Sequence, residues 1–159
     1  MWVLLIALAG CASTGLGHVR PADRSTHHAV SAHRASAAAA YLAAIDAAEP
    51  AWNAVDKSIV DRKLTLCRCD LLAQAKADAP FVADLEQIDF PPESAPQAKA
   101  FIDAVVAYDT FLMAGYSDPD MWVKNQVEDD RLNAVRSRDA SRLRDALGLP
   151  QAIGTHHRP

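Results

Sequence analysis

The segment Ser94-Ala95-Pro96-Gln97-Ala98-Lys99-Ala100-Phe101-Ile102-Asp103-Ala104-Val105-Val106-Ala107-Tyr108-Asp109-Thr110-Phe111-Leu112-Met113-Ala114-Gly115 decides the fold class. Phe101, Val105, Tyr108 and Leu112 recur at steps of four, three and four, the spacing that puts side chains on one face of an α-helix. Ile102, Val106 and Met113 flank that face. Ser94-x-x-Gln97 has the form of a capping box, and Pro96 stands inside the first turn, where its missing N–H costs nothing. Gly115 and the Asp118-Pro119 pair close the segment.

The same period extends outward in both directions. Towards the C-terminus, Asp118 is placed to cap a further helix with Pro119 at its first position, and Val123, Val127, Leu132, Val135, Leu143 and Leu147 form its stripe. Gly148 followed by Leu149-Pro150 is a stop signal, and residues 151–159 read as a loose tail. Towards the N-terminus, Leu64, Cys67, Leu71, Ala75, Val82 and Leu85 predict a helix that ends before Phe90-Pro91-Pro92, with Pro80 as a kink. Tyr41, Ile45, Trp52, Val55 and Ile59, with Ala44 and Ala48 between them, predict another from Arg34 to Lys63, kinked or broken at Pro50.

Strand alternation and hairpin dipeptides are missing from these stretches. The expected fold is all-α, an up-and-down bundle of about four antiparallel helices over residues 34–150. The chain has 159 residues, half of them apolar but only 6% aromatic, so helices must approach closely over alanine. Sixteen basic residues against twenty acidic ones, without a contiguous basic run, give no nucleic-acid footprint.

The amino terminus carries a different signal. Residues Trp2 to Ala9 are continuously apolar, too short to span a bilayer but of the length of a signal-peptide core. They run into Leu8-Ala9-Gly10-Cys11, which resembles the lipobox of bacterial lipoproteins at all four positions. That resemblance implies recognition of Leu8, Ala9 and Gly10 by the signal peptidase, removal of residues 1–10 and a diacylglyceryl thioether on Cys11. It places the mature protein on the extracytoplasmic face of the cell membrane. Met1-Trp2-Val3 departs from the pattern in lacking a basic residue, which an earlier start codon would supply. Residues 11–33, small and polar, read as a flexible tether. The long amphipathic segments, the Pro91-Pro92 connection and the Leu147-Gly148-Leu149-Pro150 ending resemble small, uncharacterised actinobacterial envelope lipoproteins, a likeness that implies architecture and no activity.

Candidate chemistry is sparse. Cys67 and Cys69, read as helical, point to opposite faces, giving one core thiol and one accessible thiol. An intermolecular disulfide, a local non-helical bridge, and redox or metal chemistry remain as alternatives. The six histidines lie towards the ends, His18, His27, His28 and His33 in the tether and His156 and His157 in the tail; a solvated linker is the expected reading and a loose metal patch the alternative. Asp103 and Asp109 offer carboxylates to an interhelical pair, as do Glu128-Asp129-Asp130, but no motif for di-iron, nucleophilic, zinc-hydrolase or phosphate-loop chemistry accompanies them. Asp139 with Arg142 and Glu128 with Arg131 are spaced to pair on a solvated face. The aromatics are expected in the core, with Trp122 as a partner surface.

The leading expectation is therefore a membrane-anchored envelope lipoprotein, a binding or scaffolding module without catalytic activity or cofactor. Its partners would be the membrane, through Cys11, and an envelope protein, a lipid or a cell-wall component. A carrier of a small hydrophobic ligand between helices and a prophage or host defence lipoprotein are the alternatives.

Overall fold

A computed structural model describes residues 21–63 and 67–151, with side chains described from Ala29 onward apart from Pro119 and Trp122. The elements are α1 (Pro21–Asp61), α2 (Arg68–Glu86), α3 (Ala95–Ser117), α4 (Pro119–Lys124) and α5 (Gln126–Leu147). Among the described residues there is no strand.

The four long helices form an up-and-down bundle in which α2 packs between α1 and α3, and α3 between α2 and α5. The contact of α1 with α5 closes the ring more narrowly. Side chains at the helix ends show the alternation of direction. Arg62 at the end of α1 pairs with Asp70 at the start of α2, and Arg68 at the start of α2 meets Tyr116 at the end of α3. At the opposite end of the bundle, His33 of α1 meets Asp89 beyond α2 at 2.9 Å, and Arg34 pairs with Glu93 before α3 at 3.2 Å.

The predicted stripes of α2 and α3 supply the core at Leu71, Ala75, Leu85, Phe101, Val105, Tyr108 and Leu112, all buried. They sort into two clusters. One gathers Tyr41, Ala44, Ala48, Phe81, Leu85, Phe101, Val105, Leu143 and Leu147. The other, nearer the α1–α2 turn, gathers Leu71, Ala75, Tyr108, Leu112 and Leu132. In the first, Trp52, Phe81, Phe101 and Tyr41 make a chain of edge-on ring contacts with centroids 5.0, 6.0 and 6.4 Å apart, the arrangement that the ring quadrupoles favour. Buried alanines of α1 at 37, 38, 44 and 48 let its backbone approach the bundle, as the alanine-rich composition required.

Several boundaries differ from the sequence reading. Helix α1 begins at Pro21, so the border expected between tether and bundle at residues 33 and 34 is not a break in the backbone. Residues 29–36 are exposed apart from the half-buried His33; a helix that is polar all round has no stripe to betray it. Pro50 and Pro80 sit inside α1 and α2 without ending them, both on exposed positions. The second helix starts at Arg68 and excludes Cys67, because α1 terminates in a turn in which Lys63 takes the left-handed conformation, φ 57°. Leu64 lies outside the described residues.

Ser94 does not cap α3 through its side chain. Its hydroxyl donates instead to the Pro91 carbonyl at 3.2 Å within a tight turn, and the Gln97 amide nitrogen reaches the Glu93 and Ser94 carbonyls at 3.1 and 3.3 Å. The predicted last helix is split at Asn125 into α4 and α5. Its start is as expected, since Asp118 Oδ1 accepts from the amides of Asp120 and Met121 at 3.1 and 3.3 Å. Its stop is as expected too, with Gly148 at φ 73°. Val123 and Val127, placed on the apolar stripe by spacing, are instead 65% and 84% exposed, because the α4–α5 elbow lies at the end of the bundle.

Candidate functional site

Between the two apolar clusters runs a polar layer centred on Asp78 of α2. Asp78 is only 2% exposed. Its Oδ1 accepts from Trp52 Nε1 of α1 at 2.6 Å, and its Oδ2 from Gln74 Nε2 at 3.1 Å and Arg136 Nη1 of α5 at 3.4 Å. The Arg136 guanidinium also lies 4.5 Å over the Tyr108 ring, a cation–π contact inside the bundle. Asp109 of α3 completes the layer, so all four long helices contribute to it.

Asp109 stands against Asp78. Burial, then the neighbouring Asp78 charge and a hydrogen bond to it, push the Asp109 carboxyl up to about 8, with Arg136 opposing. At neutral pH Asp109 therefore keeps its proton and Asp78 accepts it, as expected for two carboxyls sharing one site. Its Oδ1 is buried without a hydrogen-bond partner. The layer can store one proton and fix the mutual register of four helices, the role in which buried polar groups are best attested. Asp78 is enclosed by three donors and has almost no exposed surface.

Sequence reasoning offered Asp103 and Asp109 to a carboxylate pair between helices; Asp109 meets Asp78 of α2, whereas Asp103 is exposed and held by Lys99 at 2.7 Å. It missed Asp78, Gln74, Trp52 as a donor, and Arg136. A signal existed: Asp78 falls on the stripe Leu71-Ala75-Val82-Leu85, and Arg136 stands four residues after Leu132, so charges of opposite sign interrupt facing apolar stripes. Glu128 pairs with Arg131 at 2.6 Å on the surface, as expected. Asp139 is held by Arg138 at 3.0 Å and Arg142 at 3.4 Å, but it is buried rather than solvated.

The second constellation is the start of α2. Cys67 and Cys69 form a disulfide with Cα atoms 5.2 Å apart. The local bridge thus replaces the expected core thiol, because Cys67 is the N-cap, with extended backbone at φ −119° and ψ 162°, and the argument from opposite helical faces does not apply to it. Cys69 is exposed and Cys67 half-buried. Beneath them Asp70, 3% exposed, accepts from the Cys67 amide at 2.8 Å and pairs with Arg62. Arg68 donates to the Tyr116 carbonyl from Nε at 2.8 Å and lies 5.3 Å over the Tyr116 ring.

A scan against protein-family models and searches of curated proteins and of solved structures found no match to this chain.

The two sulfurs and an Asp70 oxygen lie within 4.8 Å of one another, but bridged sulfurs carry no thiolate charge and Asp70 is already engaged. A bridge between residues two apart removes little chain entropy from the unfolded state, about 1.5 kcal/mol by the loop-closure relation. Two open grooves lie on the described surface. One, of about 450 Å³, runs along α1 and the end of α2 beside His33, Ala37, Ala44 and Ile88. Another, of about 480 Å³, lies where α2 ends and α3 begins. Leu8, Ala9, Gly10 and Cys11 lie outside the described residues, as do His18, His156 and His157. The side chains of His27, His28 and Trp122 are also outside them.

Proposed function

We propose that this chain is a lipid-anchored envelope protein, held on the extracytoplasmic face of the cell membrane through Cys11. Its bundle is a binding or scaffolding module, not an enzyme, and its partner is another envelope protein, a lipid or a cell-wall component. The observation that carries this reading is the pairing of cysteines. The chain has three, and Cys67 and Cys69 are joined to each other. Cys11 is left without an intrachain disulfide partner, and it is the cysteine that closes the lipobox-like Leu8-Ala9-Gly10. A disulfide also suits an exported protein, since thiols in the cytosol are kept reduced.

The shape of the bundle supports a role at a distance from the bilayer. Among the described residues no helix is long and apolar enough to cross a membrane. Helix α1 has 41 residues and rises about 60 Å. The start of α1 at Pro21 is therefore at the opposite end from the α1–α2 turn and the α4–α5 elbow, where Val123 and Val127 are exposed. Two acyl chains hold such a protein stably, each buried methylene contributing about 0.8 kcal/mol.

Mass spectrometry of the N-terminus of protein extracted from native membranes tests the anchor. A diacylated Cys11 at the first position is expected; an unmodified Met1 or an unacylated Cys11 overturns it. Affinity capture with the lipidated protein and with Cys11→Ala tests the binding role. Identical partners from the same membrane fraction would show that the anchor does not organise the interaction.

A further inference from the structure

We propose that the Cys67–Cys69 bridge is a thiol–disulfide exchange site, opened by a cysteine-type thiolate that attacks Cys69. This goes beyond a binding role and does not depend on the identity of the bundle's partner.

Access selects the sulfur. Cys69 is exposed and Cys67 half-buried, so an incoming thiolate meets Cys69 first. Position selects the leaving group. Cys67 is the N-cap of α2, where the positive end of the helix favours a thiolate. Arg68 and Asp70 adjoin the two cysteines in sequence, and Arg62 pairs with Asp70. Asp70 would oppose a thiolate, but Arg62 and the Cys67 amide hold its two oxygens.

The bridge also has little structural duty. It links two residues at the start of one helix, and this corner is already fastened by Arg62–Asp70 and by Arg68 on Tyr116. Such a bond can open while the bundle stays folded.

The exchange balances within itself. A partner thiolate forms a bond to Cys69 Sγ, the Sγ–Sγ bond breaks, and its electron pair leaves on Cys67, which takes a proton. A second thiolate of the partner then attacks the partner sulfur of this mixed disulfide and releases Cys69, which is protonated in turn. The partner dithiol loses two electrons and two protons, and the bridge gains them as two thiols.

The full chain in detergent, oxidised, is incubated with excess glutathione in one arm and with a reduced peptide carrying two cysteines in the other. Samples are quenched with acid, alkylated and mapped by peptide mass, while circular dichroism follows the helices. Opening of Cys67–Cys69 with unchanged helical signal is expected. Exchange with glutathone-type small thiols alone, or with the peptide, identifies the source of the thiol; a bridge that opens in neither arm until denaturant is added overturns the proposal. In a second measurement, the mixed disulfide formed when the oxidised chain meets one equivalent of a mass-tagged thiol is trapped with acid and mapped. The tag is expected on Cys69; a tag on Cys67 overturns the assignment of the attacked sulfur. Alkylation of Cys11 in the same maps would count against the lipid anchor and leave the exchange result intact.

Discussion

Trp52 Nε1 donates to Asp78 Oδ1 at 2.6 Å, joining α1 to α2 at the level where the two apolar clusters meet. The indole thus has two duties, since its ring also stands edge-on to Phe81 at 5.0 Å. Trp52→Phe keeps most of the ring contact and removes the donor. A buried acceptor stripped of a partner costs about 1–3 kcal/mol, so chemical denaturation should show a loss of that size. An unchanged midpoint would mean that Asp78 does not depend on α1.

The acid pair predicts a pH dependence. Asp109 is raised from its ordinary 3.8 to about 8 in the folded chain, so the folded state binds a proton that the unfolded state has released. Its contribution is fully present below about pH 4 and is lost progressively as pH rises to about 8. Asp109→Asn keeps a neutral donor beside Asp78 and should flatten this part of the stability profile, making the variant relatively more stable at pH 8 than at pH 5. Urea unfolding at a series of pH values measures it.

Burial separates two residues that spacing had put on similar stripes. Leu112 is fully buried, whereas Val127 is 84% exposed. Leu112→Ala should cost about 2–5 kcal/mol through lost burial and a cavity. Val127→Ala should stay within about 0.5 kcal/mol. Thermal melts of the two variants decide between this arrangement and a continuous last helix with Val127 in the core.

Gly148 ends α5 at φ 73°, and a Cβ there would meet nothing within 4 Å. The cost of Gly148→Ala is therefore conformational rather than steric, about 1 kcal/mol. A larger loss would point to a close contact made by the tail.

The helical elements were legible because their cues are local. The Phe101-Val105-Tyr108-Leu112 spacing, Asp118 before Pro119, and Gly148 before Leu149-Pro150 each act within a turn or two of chain. Local cues also misled. Ser94 and Gln97 have the form of a capping box, but the Pro91 turn captured the serine hydroxyl. Residues 21–33 carry no apolar stripe, so their helix left no trace in the hydrophobic period.

What the sequence determined by itself is the all-α character and the main helix stops, since these depend on neighbouring residues alone. The tertiary structure decided which charges are buried and which cysteine partner is used. Asp78, Asp109 and Arg136 are 27 to 58 positions apart in chain order, and only the packing of three helices turns them from surface charges into one proton-holding layer. Cys67 and Cys69 are adjacent enough for sequence to offer the bridge, but the end of α1 had to place Cys67 in extended backbone before their sulfurs could meet.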